Sequence, residues 1–272
     1  MKKLAIIFMA AVTIALLFSA NSMAGEVLKR IEAKGTLVVG TTGHYPPFTV
    51  KDTKGRFMGF DIDLATIMAK QLGVKLDIRQ MPIEKLFTAL EKEEIDLALA
   101  GITITPKRNT KVLFLGPYYV TGQSILGKKP IVTRVKGPDD MNRPDFTLVV
   151  AKNTTSEQVA KALVPKAHII LANNMEDAFN MVLSGKAKAL FADEPFCVVA
   201  AFRNKDKDLA VSEPFTFEPL GVALPETDLL WMNWVDNVLM KLNAVGELKK
   251  LKEYWFHSPD WMTRLPKKGR FM

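Results

Sequence analysis

The chain has 272 residues, 48% of them hydrophobic and 24% charged, with a formal net charge of +8. This is globular composition with length for two domains of ordinary size. The lysines are scattered and are not interleaved with aromatics, so nucleic acid is not an expected partner.

Residues 1–24 read as an export signal. Lys2 and Lys3 form a basic start, Leu4 to Phe18 an apolar core, and Ser22-Met23-Ala24 supplies small residues at the two positions a signal peptidase inspects. Cleavage is expected after Ala24, which lowers the net charge from +8 to +6. An uncleaved anchor fits less well, because the apolar run is short. No other stretch approaches the roughly 18–20 apolar residues that span a bilayer. No Cys stands at the cleavage point to be lipidated. The expectation is a soluble periplasmic protein from a cell with two membranes.

Strands and helices then alternate. "TLVVGTT" (36–42) is a short β-rich run ending at Gly43. "GFDIDLATIMAKQLG" carries Leu64, Ile67, Met68 and Leu72 at helical spacing and stops at Gly73. "VKLDIRQ" alternates like a strand, "IEKLFTALEKEE" returns to helical spacing through Leu86, Phe87 and Leu90, and "IDLALAGITIT" is the next strand. This order argues for a mainly parallel α/β sheet. After it, Pro106 is expected to open a helix with Thr105 as N-cap. Lys107 and Arg108 would then fall in a first turn whose dipole disfavours cations, which suggests that Arg108 is kept for an anion.

A similar pattern begins near residue 146. "DFTLVVAK" is a strand. "NTTSEQVAKALV" is a helix opened by a capping box of Thr154 and Glu157. "AHIILA" is a strand, and "NNMEDAFNMVLSGK" a helix with a box from Asn173 to Glu176, stopped by Gly185. "AKALFADEP" is a further strand. Two α/β lobes therefore follow one another. "YYVTGQSIL" and "PLGVALP" flank the second and fit crossings between them. The helical segment "LLWMNWVDNVLMKLNAVGELKKLKEYWF" needs a partner surface, most simply the first lobe. Cys197, alone in "PFCVVAAF", reads as a buried hydrophobe and allows no internal disulfide. His44, His168 and His257 have no metal-ligand spacing, and no cofactor is expected.

Ligands of open α/β sheets sit beyond the carboxyl ends of the strands. Segments 40–48, 101–108 and 192–194 occupy such ends, and 153–156 is a helix start. Lobes that face each other would bring all four to one cleft.

"GTTGHYPPF", "GFDIDLATIMAKQLG", "DLALAGITITPKR", "PYYVTGQ" and "ALFADEP" stand in the order found in periplasmic solute-binding proteins of family 3, which serve polar amino-acid ABC transporters. The resemblance covers nearly all of residues 26–257. It implies a type II periplasmic binding protein: two lobes, each a mainly parallel sheet flanked by helices, joined by a two-stranded hinge. The expected boundaries are 25–120 plus 221–272 for lobe 1 and 121–220 for lobe 2. It also implies an amino-acid ligand, a membrane ABC permease as partner, and a monomer.

The same resemblance implies residue roles. Arg108 should fork onto the ligand's α-carboxylate, a geometry that suits a guanidinium. Thr103 and the backbone around Gly101 should add donors. Thr155 should clamp from the second lobe, at a helix start that suits an anion. Asp193 should accept the α-ammonium, and Tyr45 should cover the ligand side chain. Each has a plainer alternative: Arg108 a surface cation, Asp193 a cap for the helix at Pro195, Tyr45 a packing residue, Thr155 part of the capping box. Two positions depart from the family pattern. Thr42 stands where binders of basic amino acids carry an acid, and Ile83 where many members have an aromatic. The side-chain pocket is thus expected to suit a neutral or polar amino acid.

Cyclohexadienyl dehydratases share this fold and a similar "TTG-x-Y-x-PF" opening, which makes an enzyme the alternative. Glu157 would be its general acid, against its simpler role in the capping box. No G-x-S-x-G nucleophile elbow is present. A sensor input domain, which normally carries a transmembrane segment and an output domain in the same chain, is not the expectation.

Overall fold

The fold is a computed structural model describing residues 25–226 and 228–266. The expected export signal at 1–24 lies outside the described residues. Among the described residues, no helix is long and apolar enough to cross a membrane.

The chain opens with α1 (Glu26–Lys34) and β1 (Thr36–Thr41), followed by the small strands β2 (His44–Tyr45), β3 (Thr49–Lys51) and β4 (Phe57–Met58). Then come α2 (Phe60–Leu72), β5 (Lys75–Gln80), α3 (Ile83–Glu91), β6 (Leu97–Thr103), β7 (Leu113–Thr121) and β8 (Gln123–Lys128). The second half holds β9 (Thr147–Ala151), α4 (Thr155–Leu163), β10 (His168–Ala172), α5 (Met175–Leu183), β11 (Ala189–Asp193) and α6 (Glu194–Arg203). It closes with β12 (Leu209–Val211), β13 (Glu218–Leu224), α7 (Leu229–Ala244) and α8 (Glu247–Lys252).

These strands form two five-stranded sheets of matching design, ordered β5-β1-β6-β13-β7 and β10-β9-β11-β8-β12. In each, four strands run in one direction and one, β13 or β8, runs against them, so that two pairings are parallel and two antiparallel. The expectation of a mainly parallel sheet holds for the βαβ part. The antiparallel pairings are made by the strands on either side of the crossings, β7, β8, β12 and β13, where the chain changes sheet at Gly122 and again between Val211 and Glu218.

Both faces of the sheets are covered, as the near-continuous apolar runs require. Along β6, Ala98, Ala100 and Ile102 pack with Leu86 and Leu90 of α3, while Leu97 and Leu99 turn to the core shared with α2. Along β9, Leu148 and Val150 join one core and Val149 the other. Helix α2 ends where expected: Gly73 has φ 70°, and its amide returns to the carbonyls of Ala69 and Lys70.

The C-terminal helices cover the first sheet. Trp231 Nε1 donates to the carbonyl of Asp96 at 2.9 Å, and Trp255 Nε1 to Asp63 Oδ2 at 2.8 Å. Asp228 caps α7 and also accepts from the amides of Gly25 and Val27, so the first and last parts of the described chain share one carboxylate.

Two local expectations are corrected. The helix at Pro106 is only a 3₁₀ turn at Arg108–Thr110. Thr105 does accept from the Arg108 amide, at 3.2 Å, but the chain must enter β7 at Leu113 and has no room for more. A single turn has no appreciable macrodipole, so no dipole opposes the cations there and the argument for an anion from that opposition falls. The cap of α5 is Asn174, which accepts from Asp177 N at 2.8 Å, one residue beyond the Asn173–Glu176 box. The helix starts at Met175, so the Asp177 amide is the one within reach of the N-cap side chain, and Asn173 Oδ1 accepts from Lys152 instead.

Candidate functional site

The carboxyl ends of β1, β6, β9 and β11 open onto one cavity of about 560 Å³. All eight residues expected at a ligand site line it. Tyr45, Gly101, Thr103, Arg108 and the two side-chain positions Thr42 and Ile83 come from the first half of the chain, Thr155 and Asp193 from the second.

Arg108 is turned inward. Its Nη1 donates to the Thr103 carbonyl at 2.8 Å and its guanidinium lies 5.4 Å from the centre of the Phe87 ring. Burial lowers its pKa, while the charges of Asp193 and Glu218 pull the other way. It is a partly desolvated cation with a planar fork on a cavity wall. The alternative of a surface cation does not describe it.

Asp193 ends β11, is 4% exposed, and makes no capping bond to α6. Its Oδ2 accepts from the Tyr45 hydroxyl at 2.6 Å, while Oδ1 is buried with no hydrogen-bond partner. Burial pushes this carboxyl up to about 7, against the Tyr45 bond; Glu218 raises it further and Arg108 lowers it. The Tyr45 ring stacks between Phe48 and Phe196, with centroids 5.8 and 5.6 Å away. Tyr45 therefore is a packing residue, and it also bonds across the cavity.

Thr155 follows the N-cap Thr154 at the start of α4. Its Oγ1 accepts from Gln123 Nε2 at 3.1 Å and lies 3.3 Å from Thr103 Oγ1. The two threonines meet across the cleft.

Gly101 differs from expectation. Its amide donates to Asp61 Oδ2 at 2.7 Å and so is not available to a ligand. Gly101 is required for shape: its φ is +60°, and a Cβ there would lie 3.0 Å from the Tyr45 ring. Glu157 does not reach the cavity lining. Its carboxylate accepts from the Asn153 amide at 2.8 Å and from Lys161 at 2.6 Å, and the Lys161 bond holds its pKa below the usual range. It closes the helix start, with Glu157 N on Thr154 Oγ1 at 3.3 Å.

Several lining or supporting residues were not legible in the sequence. Gln80 Nε2 bonds the Thr42 carbonyl and lies 2.5 Å from His44 Nε2, which builds a polar wall beside Thr42. Glu218, 5% exposed at the start of β13, receives hydrogen bonds from Thr103 and Thr216 and faces Arg108. Both Gln123 and Glu218 sit on the crossing strands, where the sequence signals only apolar alternation. Among the described residues, no three His, Cys, Asp or Glu side chains gather to hold a metal. Cys197 is buried, 3.7 Å from the Ala192 carbonyl.

The model of the bacterial extracellular solute-binding proteins, family 3, matches residues 37–258. The chain belongs to this family. Within it, the chain is 29% identical over 247 residues to a cyclohexadienyl dehydratase of Pseudomonas aeruginosa, covering 89% of this chain and 91% of that one. It is similar in structure to an ancestral amino-acid-binding protein described as a precursor of cyclohexadienyl dehydratase. That likeness has a TM-score of 0.79 and 41% identity, over 85% of this chain and 100% of the other. A binding component of an ABC transporter from Wolinella succinogenes, complexed with lysine, aligns with a TM-score of 0.82 and 36% identity, over 85% and 99% of the two chains. The type II fold expected of a family 3 solute-binding protein is thus shown.

Proposed function

We propose that this family 3 protein is the substrate-binding component of an ABC importer, taking one amino acid between its two lobes in the periplasm. The observation that carries this is the placing of a half-buried guanidinium, Arg108, and a buried carboxylate, Asp193, whose Oδ1 lacks a partner, on the walls of one cavity. An amino-acid zwitterion answers both: its carboxylate forks onto Arg108 and its ammonium supplies Oδ1 with a donor. Thr103 and Thr155 offer hydroxyls from opposite walls. A ligand bridging the two lobes stabilises the closed form over the open one, which is what a permease reads.

The side-chain end favours a neutral or polar amino acid. Thr42, His44 and Gln80 line it without a carboxylate, and the lining acid other than Asp193 is the exposed Glu84. A thermal-shift screen of the mature protein against the common amino acids tests the reading, since a ligand that binds the folded state raises its Tm. Stabilisation by glutamine or another neutral polar amino acid is expected. Stabilisation by lysine or arginine alone would overturn the side-chain assignment, and no response to any amino acid would overturn the function.

The dehydratase among the relatives favours a second reading, catalysis on the same fold. It lacks support from Glu157, whose carboxylate is held by Asn153 and Lys161. Incubation with prephenate and with arogenate separates the two. Formation of phenylpyruvate or phenylalanine would establish the enzyme.

A further inference from the structure

Tyr45 stacks on Phe48 and Phe196, which accounts for its ring but not for its hydroxyl. That hydroxyl reaches across the cavity, from β2 beside the first sheet to the last residue of β11 in the second, and donates to Asp193 Oδ2. Nothing on Asp193's own element orients the carboxylate, because it makes no capping bond to α6. We propose that the Tyr45 hydroxyl is the positioning group of the ammonium site: it pins Asp193 Oδ2, favours the carboxylate over the acid, and leaves Oδ1 to the ligand.

The inference rests on the amino-acid reading above and deepens it. Because donor and acceptor belong to different sheets, this bond forms only when the lobes are together, so the acceptor for the ammonium is ordered by closure itself. An ionised carboxylate buried here needs donors. The groups facing Asp193 are the Tyr45 hydroxyl from β2, the Arg108 guanidinium from the turn after β6, and the Glu218 carboxylate from β13. Cys197 on α6 and the Tyr118 phenol on β7 also feel its charge. Of these, Tyr45 donates a hydrogen bond to the carboxylate, and Arg108 acts on it by charge. A ring-only role for Tyr45 would be served equally by phenylalanine.

The test uses Tyr45→Phe, which keeps the stacked ring, beside the wild-type mature protein. The Asp193 carboxyl is titrated by carbon-13 NMR, its signal assigned by loss in Asp193→Asn. Affinity for L-glutamine and for its des-amino counterpart, glutaramate, is measured from pH 6 to 9. Expected in Tyr45→Phe is an Asp193 titration at higher pH than in wild type. Glutamine binding should weaken about tenfold near neutral pH and recover as pH rises, with glutaramate binding little changed. Unchanged Asp193 titration and an unchanged pH profile would overturn the inference. Should wild type bind no amino acid in the screen, the proposed function falls, while the NMR comparison still decides whether Tyr45 controls Asp193.

Discussion

Gly122 and Thr216 hold the two inter-sheet crossings against each other: a Cβ on Gly122 would sit 2.2 Å from the Thr216 carbonyl oxygen. Around them the Gln123 amide donates to Thr216 Oγ1 at 2.9 Å and the Phe215 amide to the Gln123 carbonyl at 2.8 Å. The crossings are a backbone contact, and only a residue without a side chain fits. Gly122→Ala is therefore expected to force backbone apart and cost about 1–3 kcal/mol, as overpacking does. Urea unfolding of the ligand-free protein measures it, and a variant as stable as wild type would mean that the crossings separate easily.

Arg108→Ala and Asp193→Asn divide the site's charges. The first removes the carboxylate fork and is expected to lower amino-acid affinity at least about tenfold, in line with a charge-assisted pair of about 1.5–3 kcal/mol. The second should weaken amino acids but spare carboxylates that lack the amino group. Calorimetry with glutamine and glutaramate on both variants checks the assignment. Retained glutamine affinity in Arg108→Ala would place the carboxylate elsewhere.

Asp61 predicts a pH dependence. It is fully buried, and burial pushes its carboxyl up to about 7 against the pull of the Gly101 amide. Below about pH 4 the group is neutral in both folded and unfolded chains. Between there and about 7 the unfolded chain ionises while the folded one keeps its proton, so stability is lost as pH rises. Above that range the loss is complete. Asp193 has the same sign, because burial places it at about 7 as well. Urea unfolding at pH 5 and pH 8 should show Asp61→Asn with a smaller decline than wild type. An equal decline would mean that Asp61 is ionised throughout.

Glu157→Gln is expected to leave ligand affinity unchanged, because the side chain serves Asn153 and Lys161 and does not line the cavity. Its stability loss should stay below about 1 kcal/mol, the range of a partly exposed pair. A large loss of binding, or of prephenate turnover were any found, would return Glu157 to the site.

Periodicity and capping made most of the fold legible. The apolar spacing of Leu64 and Met68, the alternation through "LALAGIT", and the stop at Gly73 depend on neighbours close in the chain, so local chemistry decided them. The order of five motifs then implied the family and, through it, the eight cavity residues. Three features were not local. The length of the turn at Arg108 depends on where β7 must begin. The amide of Gly101 belongs to Asp61, forty residues earlier, so it is closed to a ligand although its strand end looks open. Glu218 and Gln123 lie on crossing strands whose sequence signals only alternation, and which of their faces meets Arg108 or Thr155 is set by strand register.

The sequence alone determined the α/β alternation and the two-lobe order, because both follow from spacing along one chain, and its motifs implied the site residues through the family resemblance. Only the tertiary structure decided the pairing of Tyr45 with Asp193 and of Thr103 with Thr155. Those partners come from different elements far apart in the chain, and a hydrogen bond of about 3 Å depends on where folding brings two atoms.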